Sequence, residues 1–375
     1  MSLSGIRSVD SVMLRRVMRD CIVNGRNLIV FGPAGSGKTE IALNTIHETK
    51  IPNSSLTYNH VYLNLSVCTP PELVGLPQIE DGVSSYALPR YMPTEKTTEN
   101  KVVMLVDELD KADTDLQNPM LETFQFRSIN GTKLMVQSVI ATANLPDEGA
   151  FSKPLSSALA NRCQMVRLEV NSEKWVDWAG SVGTNPLISA YILKNGSALS
   201  KRTFKEDATA YCQASPRSWT MAAKALDSVG RITTDNMEYA ILQVASYVGD
   251  QNATSFAVYI EYAIKFEPLV DEIVNKGVAT PPKQADEMFV VSTMALNRLT
   301  SWMTNNRSSH DKKETREKAA EMFKRVYGWL NKEKIPREII LGAVRSNVQV
   351  KDYSDFDLIR LKEVQEMYNS FNVKQ

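Results

Sequence analysis

The chain has 375 residues, of which 43% are hydrophobic and 23% are charged, so it is long enough to form two or three domains with buried cores. Lys and Arg together number 43, as do Asp and Glu, and this balance excludes a global field that would attract DNA or a membrane surface. Four dispersed cysteines and three histidines argue against a disulfide framework or a zinc site and favour a reducing, cytoplasmic location. The N-terminus lacks a basic-then-apolar signal, and no apolar run approaches ~18 residues, so secretion and membrane spanning are disfavoured.

The first chemical signal is NLIVFGPAGSGKTEIAL, residues 27–43. Its four leading apolar residues predict a buried strand, and a G-x-x-x-x-G-K-T motif and helix-forming residues follow, which is the context of a P-loop. The glycines let backbone N–H groups and a helix N-terminus approach a polyphosphate. Lys38 would reach the β- and γ-phosphates, and the Thr39 hydroxyl would ligate Mg²⁺. A chance match has a probability of roughly one per cent at ordinary glycine usage. The predicted nucleotide-binding residues are Gly32, Pro33, Ala34, Gly35, Ser36, Gly37, Lys38, Thr39 and Asp107.

Two segments combine a pair of strand-like runs with a turn dipeptide. Asp81-Gly82 lies within residues 72–93, and Asn130-Gly131 lies within residues 124–138. Asp-Gly and Asn-Gly favour type I′ turns because both central positions need a positive φ. Each segment therefore predicts a β-hairpin.

A second strand of the predicted sheet ends in two acidic residues, in KVVMLVDELDKAD (101–113). Five consecutive apolar residues predict a parallel strand buried on both faces, and Asp107 and Glu108 follow at its carboxyl end, where open α/β sheets bind ligands. Asp107 can hold Mg²⁺ through water, and Glu108 can polarise an attacking water. An isolated Asp-Glu pair is more often a surface turn, but the P-loop favours the catalytic interpretation.

Two polar residues further along the chain are also candidates for the nucleotide site. Asn144 ends the apolar run SVIATAN, and a neutral amide there can orient the lytic water, although a turn or cap Asn is the commoner role. Arg162 precedes a last short strand at 165–168. Its planar, permanently charged guanidinium suits the γ-phosphate of a neighbouring subunit, and the alternative is a plain surface charge.

Six segments together resemble the AAA+ superfamily of ring-forming ATPases and, within it, the MoxR-like branch. They are GPAGSGKT (32–39), VDELDKA (106–112), DLQNPMLETFQFRSINGTKL (115–134), IATAN (140–144), LSSALANRC (155–163) and ASPRSW (214–219). The resemblance implies a P-loop α/β fold with a five-stranded parallel sheet flanked by helices, then an all-α lid and a helical C-terminal region. It also implies a homo-oligomeric ring, usually a hexamer, with ATP and Mg²⁺ at subunit interfaces.

The resemblance assigns further roles. Asn144 corresponds to sensor 1, Arg162 to the trans-acting arginine finger, and Arg217 to the sensor 2 arginine, which acts in its own subunit or on a neighbour. Residues 124–138 correspond to the pre-sensor 1 hairpin, and residues 72–93 to the helix 2 insert. Both hairpin tips are polar, unlike an aromatic pore loop that grips an unfolded chain, and this favours remodelling of a docked client over threading. Members of the branch often work with a partner that bears a von Willebrand factor A domain.

The remainder of the chain is predicted to be helical from residue 172 onward. We expect an ATPase core at 1–170, a lid at 171–270 and a C-terminal region at 271–375, with a linker at KGVATPPKQAD (276–286) because of its two adjacent prolines.

Three functions fit the sequence. The leading hypothesis is ATP hydrolysis that remodels a partner protein. A nucleic-acid motor or loader is the second, since the same ATP site would serve it, but the zero net charge counts against it. Ten basic residues face five acidic ones over 307–337, and such a run is more often a solvated helix face than a patch for nucleic acid or an acidic partner. The third is a nucleotide-bound regulatory subunit with low turnover, against which the intact Asp107-Glu108 pair argues. The phosphate motif does not separate ATP from GTP.

Overall fold

The computed structural model describes residues 5–144, 152–200, 212–332 and 335–347, together with residues 356 and 358. The chain divides into two compact units, Met1–Val170 and Asn171–Gln375. All four cysteines lie in the described ranges and are free thiols. Across these ranges, no helix is both long and apolar enough to cross a membrane.

The first unit alternates strands and helices. Its strands are β1 (Ser8–Val9), β2 (Leu28–Phe31), β3 (His60–Asn64), β4 (Leu76–Glu80), β5 (Val83–Ala87), β6 (Val102–Asp107), β7 (Ser128–Ile129), β8 (Thr132–Lys133), β9 (Val136–Ala143) and β10 (Gln164–Leu168). Its helices are α1 (Ser11–Val23), α2 (Lys38–Glu48), α3 (Pro70–Val74), α4 (Thr114–Phe126) and α5 (Ser157–Ala160).

Six of these strands form one parallel sheet in the order β1-β10-β2-β9-β6-β3. The parallel α/β fold is confirmed, but the implied number of five strands was one too few. The additional strand is the two-residue β1, which pairs with β10 through Ser8 and Val9 at the sheet edge. So short a strand carries no periodic pattern, because side-chain alternation needs about four residues to be recognised.

Both faces of the sheet are covered, which explains its uninterrupted apolar strands. Successive residues of a strand point to opposite faces. Ile29 and Phe31 therefore join a core cluster with Leu116, Met120 and Phe124 of α4. The alternate residues of the same strand join a second cluster with side chains of α1 and α2 on the other face. This packing fixes the loops at the carboxyl ends of the strands.

The two predicted hairpins are confirmed. Strands β4 and β5 pair antiparallel around Asp81 (φ 50°) and Gly82 (φ 77°), and β7 pairs with β8 around Asn130 (φ 47°) and Gly131 (φ 74°). Both central residues of each turn have a positive φ, as a type I′ turn requires.

A carboxylate on α4 holds the second hairpin. Glu122 accepts hydrogen bonds from Ser128 Oγ (2.6 Å) and from the backbone N–H groups of Asn130 (3.0 Å) and Gly131 (3.1 Å). Asn130 Nδ2 also donates to the carbonyl oxygen of Val74, just before β4 (3.0 Å). The turn of one hairpin is therefore tied both to α4 and to the base of the other hairpin.

The second unit is helical over its described residues, as predicted. Its helices are α6 (Ser172–Ser181), α7 (Pro186–Lys194), α8 (Pro216–Val229), α9 (Met237–Val248), α10 (Asp250–Lys276), α11 (Ala285–Asn305), α12 (Lys313–Lys332) and α13 (Arg337–Asn347). The predicted linker corresponds to the loop between α10 and α11. The domain boundary predicted near residue 270 falls inside α10, which ends where Gly277 adopts a left-handed conformation (φ 72°). The division of this unit into a lid and a C-terminal region stays a prediction.

Candidate nucleotide site

The P-loop connects the carboxyl end of β2 to the first residue of α2. Gly35 (φ 74°) and Gly37 (φ 91°) both have left-handed backbones, which residues with a Cβ adopt only at a cost. The hydroxyl of Ser36 is buried and has no hydrogen-bond partner within the described part of the chain. The loop thus offers a buried donor beside its backbone N–H groups, which fits a phosphate-binding site.

Lys38 is held at the centre of this loop with only 8% of its surface exposed. Its Nζ donates to the carbonyl oxygens of Gly32 (2.8 Å) and Pro33 (2.9 Å) and to Oδ1 of Asn144 (3.0 Å). Because β9 lies beside β2 in the sheet, the end of β9 brings Asn144 to the P-loop. Two predicted site residues that lie 106 positions apart are therefore in direct contact.

The Asp107 carboxylate lies at the end of β6 and faces α2. It accepts a hydrogen bond from Thr39 Oγ1 at 3.0 and 3.1 Å to its two oxygens. A hydroxyl and a carboxylate are hard oxygen ligands of the kind that Mg²⁺ prefers, with its remaining positions left to phosphates and water. The predicted Mg²⁺ ligands therefore lie together and fit the ion.

Two further side chains, which the sequence reasoning missed, also contact Asp107. Tyr62 donates its hydroxyl to Oδ2 (2.9 Å), and Thr142 donates to Oδ1. Burial, together with the bond to Asp107, raises the pKa of Tyr62 to about 12, so its hydroxyl stays a donor at neutral pH. Thr142 of β9 lies two residues before Asn144, the spacing at which side chains along an extended chain point to the same side, and this spacing was the only local signal for it.

Glu108 has an unusual backbone for a residue that is not glycine. Its φ of 55° and ψ of 42° are left-handed, and its N–H lies 3.2 Å from Asp107 Oδ1 and 3.3 Å from Thr142 Oγ1. Such conformations cost of the order of 1 kcal/mol or more and are concentrated at functional sites. The strain supports a functional role for the position that follows Asp107.

Arg162 is oriented by neighbours of its own subunit. Its Nε and one terminal nitrogen donate to Oε1 of Gln125, at 2.9 and 2.7 Å, and the other terminal nitrogen donates to the carbonyl oxygen of Ala158 (2.6 Å). A guanidinium has five N–H groups, so these three bonds leave two with no partner among the residues that the structure describes. It borders a cavity of about 440 Å³ that Arg26 and Arg127 also line, far more space than one water needs.

Arg162 lies near the amino ends of the strands, whereas the P-loop of its own subunit lies at their carboxyl ends. Gln164, two residues after Arg162, pairs with Leu28 at the start of β2, whereas the P-loop follows Phe31 at the end of β2. A strand of four residues spans roughly 13 Å. The structure therefore brings Lys38, Thr39, Asp107, Glu108 and Asn144 together but keeps Arg162 apart from them.

Arg217 belongs to the second unit, in the first turn of α8. The side chain of Ser215 caps this helix by accepting the N–H of Ser218 (3.1 Å). The role of Arg217 in binding nucleotide stays a prediction.

The fold and the site together are those of a P-loop ATPase domain. Residues 27–163 match the family profile of the AAA domain (dynein-related subfamily), which lies within the first unit. The structure is similar to the RuvB Holliday junction branch migration motor of Thermotoga maritima, with 11% sequence identity over 71% of this chain and 75% of that chain and a TM-score of 0.33. A point mutant of the same protein gives 12% identity over 70% of this chain and 74% of that chain, with a TM-score of 0.34. No curated protein matches the chain.

Proposed function

We propose that this chain hydrolyses ATP in a Mg²⁺-dependent manner within a ring of identical subunits, as MoxR-like ATPases do, and uses the energy to remodel a partner protein. Lys38 and the backbone N–H groups of the P-loop bind the phosphates. Thr39 and Asp107 would hold Mg²⁺, which when bound neutralises phosphate charge.

Glu108 is the proposed general base. A water positioned beside it attacks the γ-phosphorus, the bond from that phosphorus to the bridging oxygen of ADP breaks, and the proton of the water passes to the carboxylate. Asn144 and Lys38 stabilise the γ-phosphoryl oxygens during this transfer. Most of the rate enhancement in such reactions comes from positioning and charge stabilisation, for which these residues are suited.

Arg162 is proposed to complete the site of a neighbouring subunit. The observation that carries this step is its position at the opposite end of the strands from its own P-loop, with two N–H groups that have no partner among the described residues. An arginine finger is worth about 10³- to 10⁵-fold in rate, because it neutralises charge that develops on the transferring group. Hydrolysis should therefore depend on assembly.

Mixing of two inactive variants tests this arrangement. Glu108→Gln should bind ATP and retain it, with hydrolysis lost. Arg162→Ala and Lys38→Ala should each be inactive alone, but a mixture should regain part of the activity because each variant supplies what the other lacks. Normal hydrolysis by Glu108→Gln would refute the assigned chemistry, and a mixture without recovery would refute the shared site. Strong, salt-sensitive stimulation by DNA in the same assay would favour a nucleic-acid motor instead.

Exposed apolar side chains on the β4–β5 hairpin support the proposal that the partner is a protein. Leu76 is 62% exposed, Ile79 80% and Val83 67%, although the turn between the strands is polar. An isolated two-stranded hairpin is marginally stable in water, and exposed apolar clusters mark sites of protein association. A client with an apolar docking surface would cover these side chains, and a von Willebrand factor A domain is the partner that the family resemblance implies.

Capture with the ATP-trapping form tests the client site. Glu108→Gln should retain a protein that is lost when Ile79→Ser and Val83→Ser are added. Leu242→Ser, at an exposed position of α9 (58% exposed), is the matched control and should keep the captured protein. Equal capture by the hairpin variant and the control would remove the hairpin from the proposal.

A further inference from the structure

A buried carboxylate beside the nucleotide site has no role in the mechanism described above. Asp110 lies in a single 3-10 turn, Leu109–Lys111, and is 1% exposed. Its oxygens accept hydrogen bonds from the backbone N–H of Asn144 (2.9 Å), from Asn144 Nδ2 (3.3 and 3.5 Å) and from Ser152 Oγ (2.7 Å). Burying a charged group in this way is unfavourable unless its surroundings compensate for the lost water.

The two halves of the Asn144 amide contact neighbours of opposite hydrogen-bonding character. Its Nδ2 donates to Asp110, and its Oδ1 accepts from Lys38 Nζ (3.0 Å). A carboxylate can only accept and an ammonium can only donate. Reversing the Asn144 amide would set its carbonyl oxygen against the carboxylate and its NH₂ group against the ammonium. The two charged neighbours therefore fix one orientation of the amide.

The carboxylate is itself held from a second side. Besides the Ser152 hydroxyl, the backbone N–H of Lys153 donates to the carbonyl oxygen of Asp110 (2.7 Å), and Lys111 Nζ lies 3.8 Å from Asp110 Oδ2. Lys153 also pairs with Asp113 on the surface. Asp110 is thus anchored through both its backbone and its side chain, as a residue that orients another must be.

We propose that Asp110 is the positioning residue for Asn144, holding its amide so that the carbonyl oxygen supports Lys38 at the γ-phosphate. This inference rests on the proposed function of the site. It specifies how Asn144 acts: the amide influences the γ-phosphoryl group through the ammonium of Lys38, and its NH₂ group remains bound to Asp110. Removing Asp110 should then have its effect through Asn144 alone.

A double-mutant cycle tests this chain of contacts. We expect Asp110→Asn and Asn144→Ala each to lower kcat about 10- to 100-fold, the range for losing a charged hydrogen bond. Affinity for ADP should change by less than about twofold, while affinity for ATP, measured with Glu108→Gln also present, should fall, because only ATP carries the γ-phosphate. The double variant should be no worse than Asn144→Ala. Asp115→Asn, which removes an exposed carboxylate five residues away, is the control and should behave as wild type.

Multiplying losses in the double variant, or equal weakening of ADP and ATP binding by Asp110→Asn, would overturn the proposal. If Asp110→Asn fails to fold, Asn144→Asp provides a second measurement. It sets two carboxylates against each other and should lower Tm, and adding Asp110→Asn should raise Tm again by restoring a donor opposite an acceptor. A combined variant less stable than Asn144→Asp would also overturn it. Normal hydrolysis by Glu108→Gln would instead refute the proposed function.

Discussion

Replacing Gln125 by Met would test how the Arg162 guanidinium is held ready for a neighbouring site. Met has a similar length and shape but no strong acceptor, so the change removes the two bonds to Oε1, at 2.9 and 2.7 Å. Only the bond to the Ala158 carbonyl oxygen would then remain of the three that orient the side chain. Fixing an arginine side chain costs about 2 kcal/mol of rotamer entropy. Without Gln125, the side chain of Arg162 would be ordered only in the transition state, so this entropy cost would add to the activation free energy. At about 1.4 kcal/mol per factor of ten in rate, kcat should fall about 10- to 30-fold.

The assay is steady-state ATP hydrolysis with nucleotide affinity measured in parallel. Gln125 lies on the exposed face of α4, so the protein should fold normally and bind nucleotide as wild type does. Gln251→Met makes the same change at an exposed position of α10 and should leave kcat unaltered. Arg162→Ala sets the lower limit, about 10³-fold or more below wild type.

If Gln125→Met hydrolysed ATP at the wild-type rate while Arg162→Ala was inactive, the finger would need no support from Gln125, and the proposed role of Gln125 would be refuted. A wild-type rate for Arg162→Ala would instead refute the role of the arginine itself.

Three further predictions concern the hairpin, the helical unit and a thiol. Replacing Asn130 and Gly131 by Val and Thr should cost about 1–3 kcal/mol at each left-handed position and open the hairpin to limited proteolysis, with nucleotide binding retained. Trp219 is 0% exposed, so Trp219→Ala should leave a cavity in the core of the second unit. Urea denaturation should then show a loss of about 3–5 kcal/mol in the free energy of unfolding of that unit. Burial raises the pKa of Cys163 to about 12, so at pH 9 this thiol is still protonated and should be alkylated more slowly than the exposed Cys212, as peptide mass spectrometry would show. Equal alkylation rates at the two cysteines would contradict the last expectation.

Local sequence was sufficient for much of the fold. Strands β2 and β6 are uninterrupted apolar runs because both faces of the sheet are covered, so their existence could be predicted from hydrophobicity alone. The turns at Asp81-Gly82 and Asn130-Gly131 were predictable because few residues tolerate a positive φ. The edge strand β1 was not, since two residues paired to β10 have no pattern of their own.

The residues of the nucleotide site likewise fall into those that could be predicted from the sequence and those that could not. Lys38, Thr39, Asp107 and Glu108 belong to short motifs in which the spacing is itself the signal. Their supporting residues carry no such signal. Tyr62 lies outside the six segments that carry the resemblance, and Asp110, Gln125 and Thr142 lie inside them with no spacing that sets them apart from structural positions.

The sequence by itself predicted a polyphosphate site at a strand–loop–helix unit, because the glycines, the lysine and the hydroxyl of a P-loop are contiguous. The tertiary structure alone decided which side chains complete that site. The order of the strands sets Asn144 beside Lys38, and the parallel pairing of β10 with β2 sets Arg162 at the amino ends of the strands, away from the P-loop. Strand order depends on contacts between residues distant in the chain, and no local pattern of hydrophobicity or charge records it.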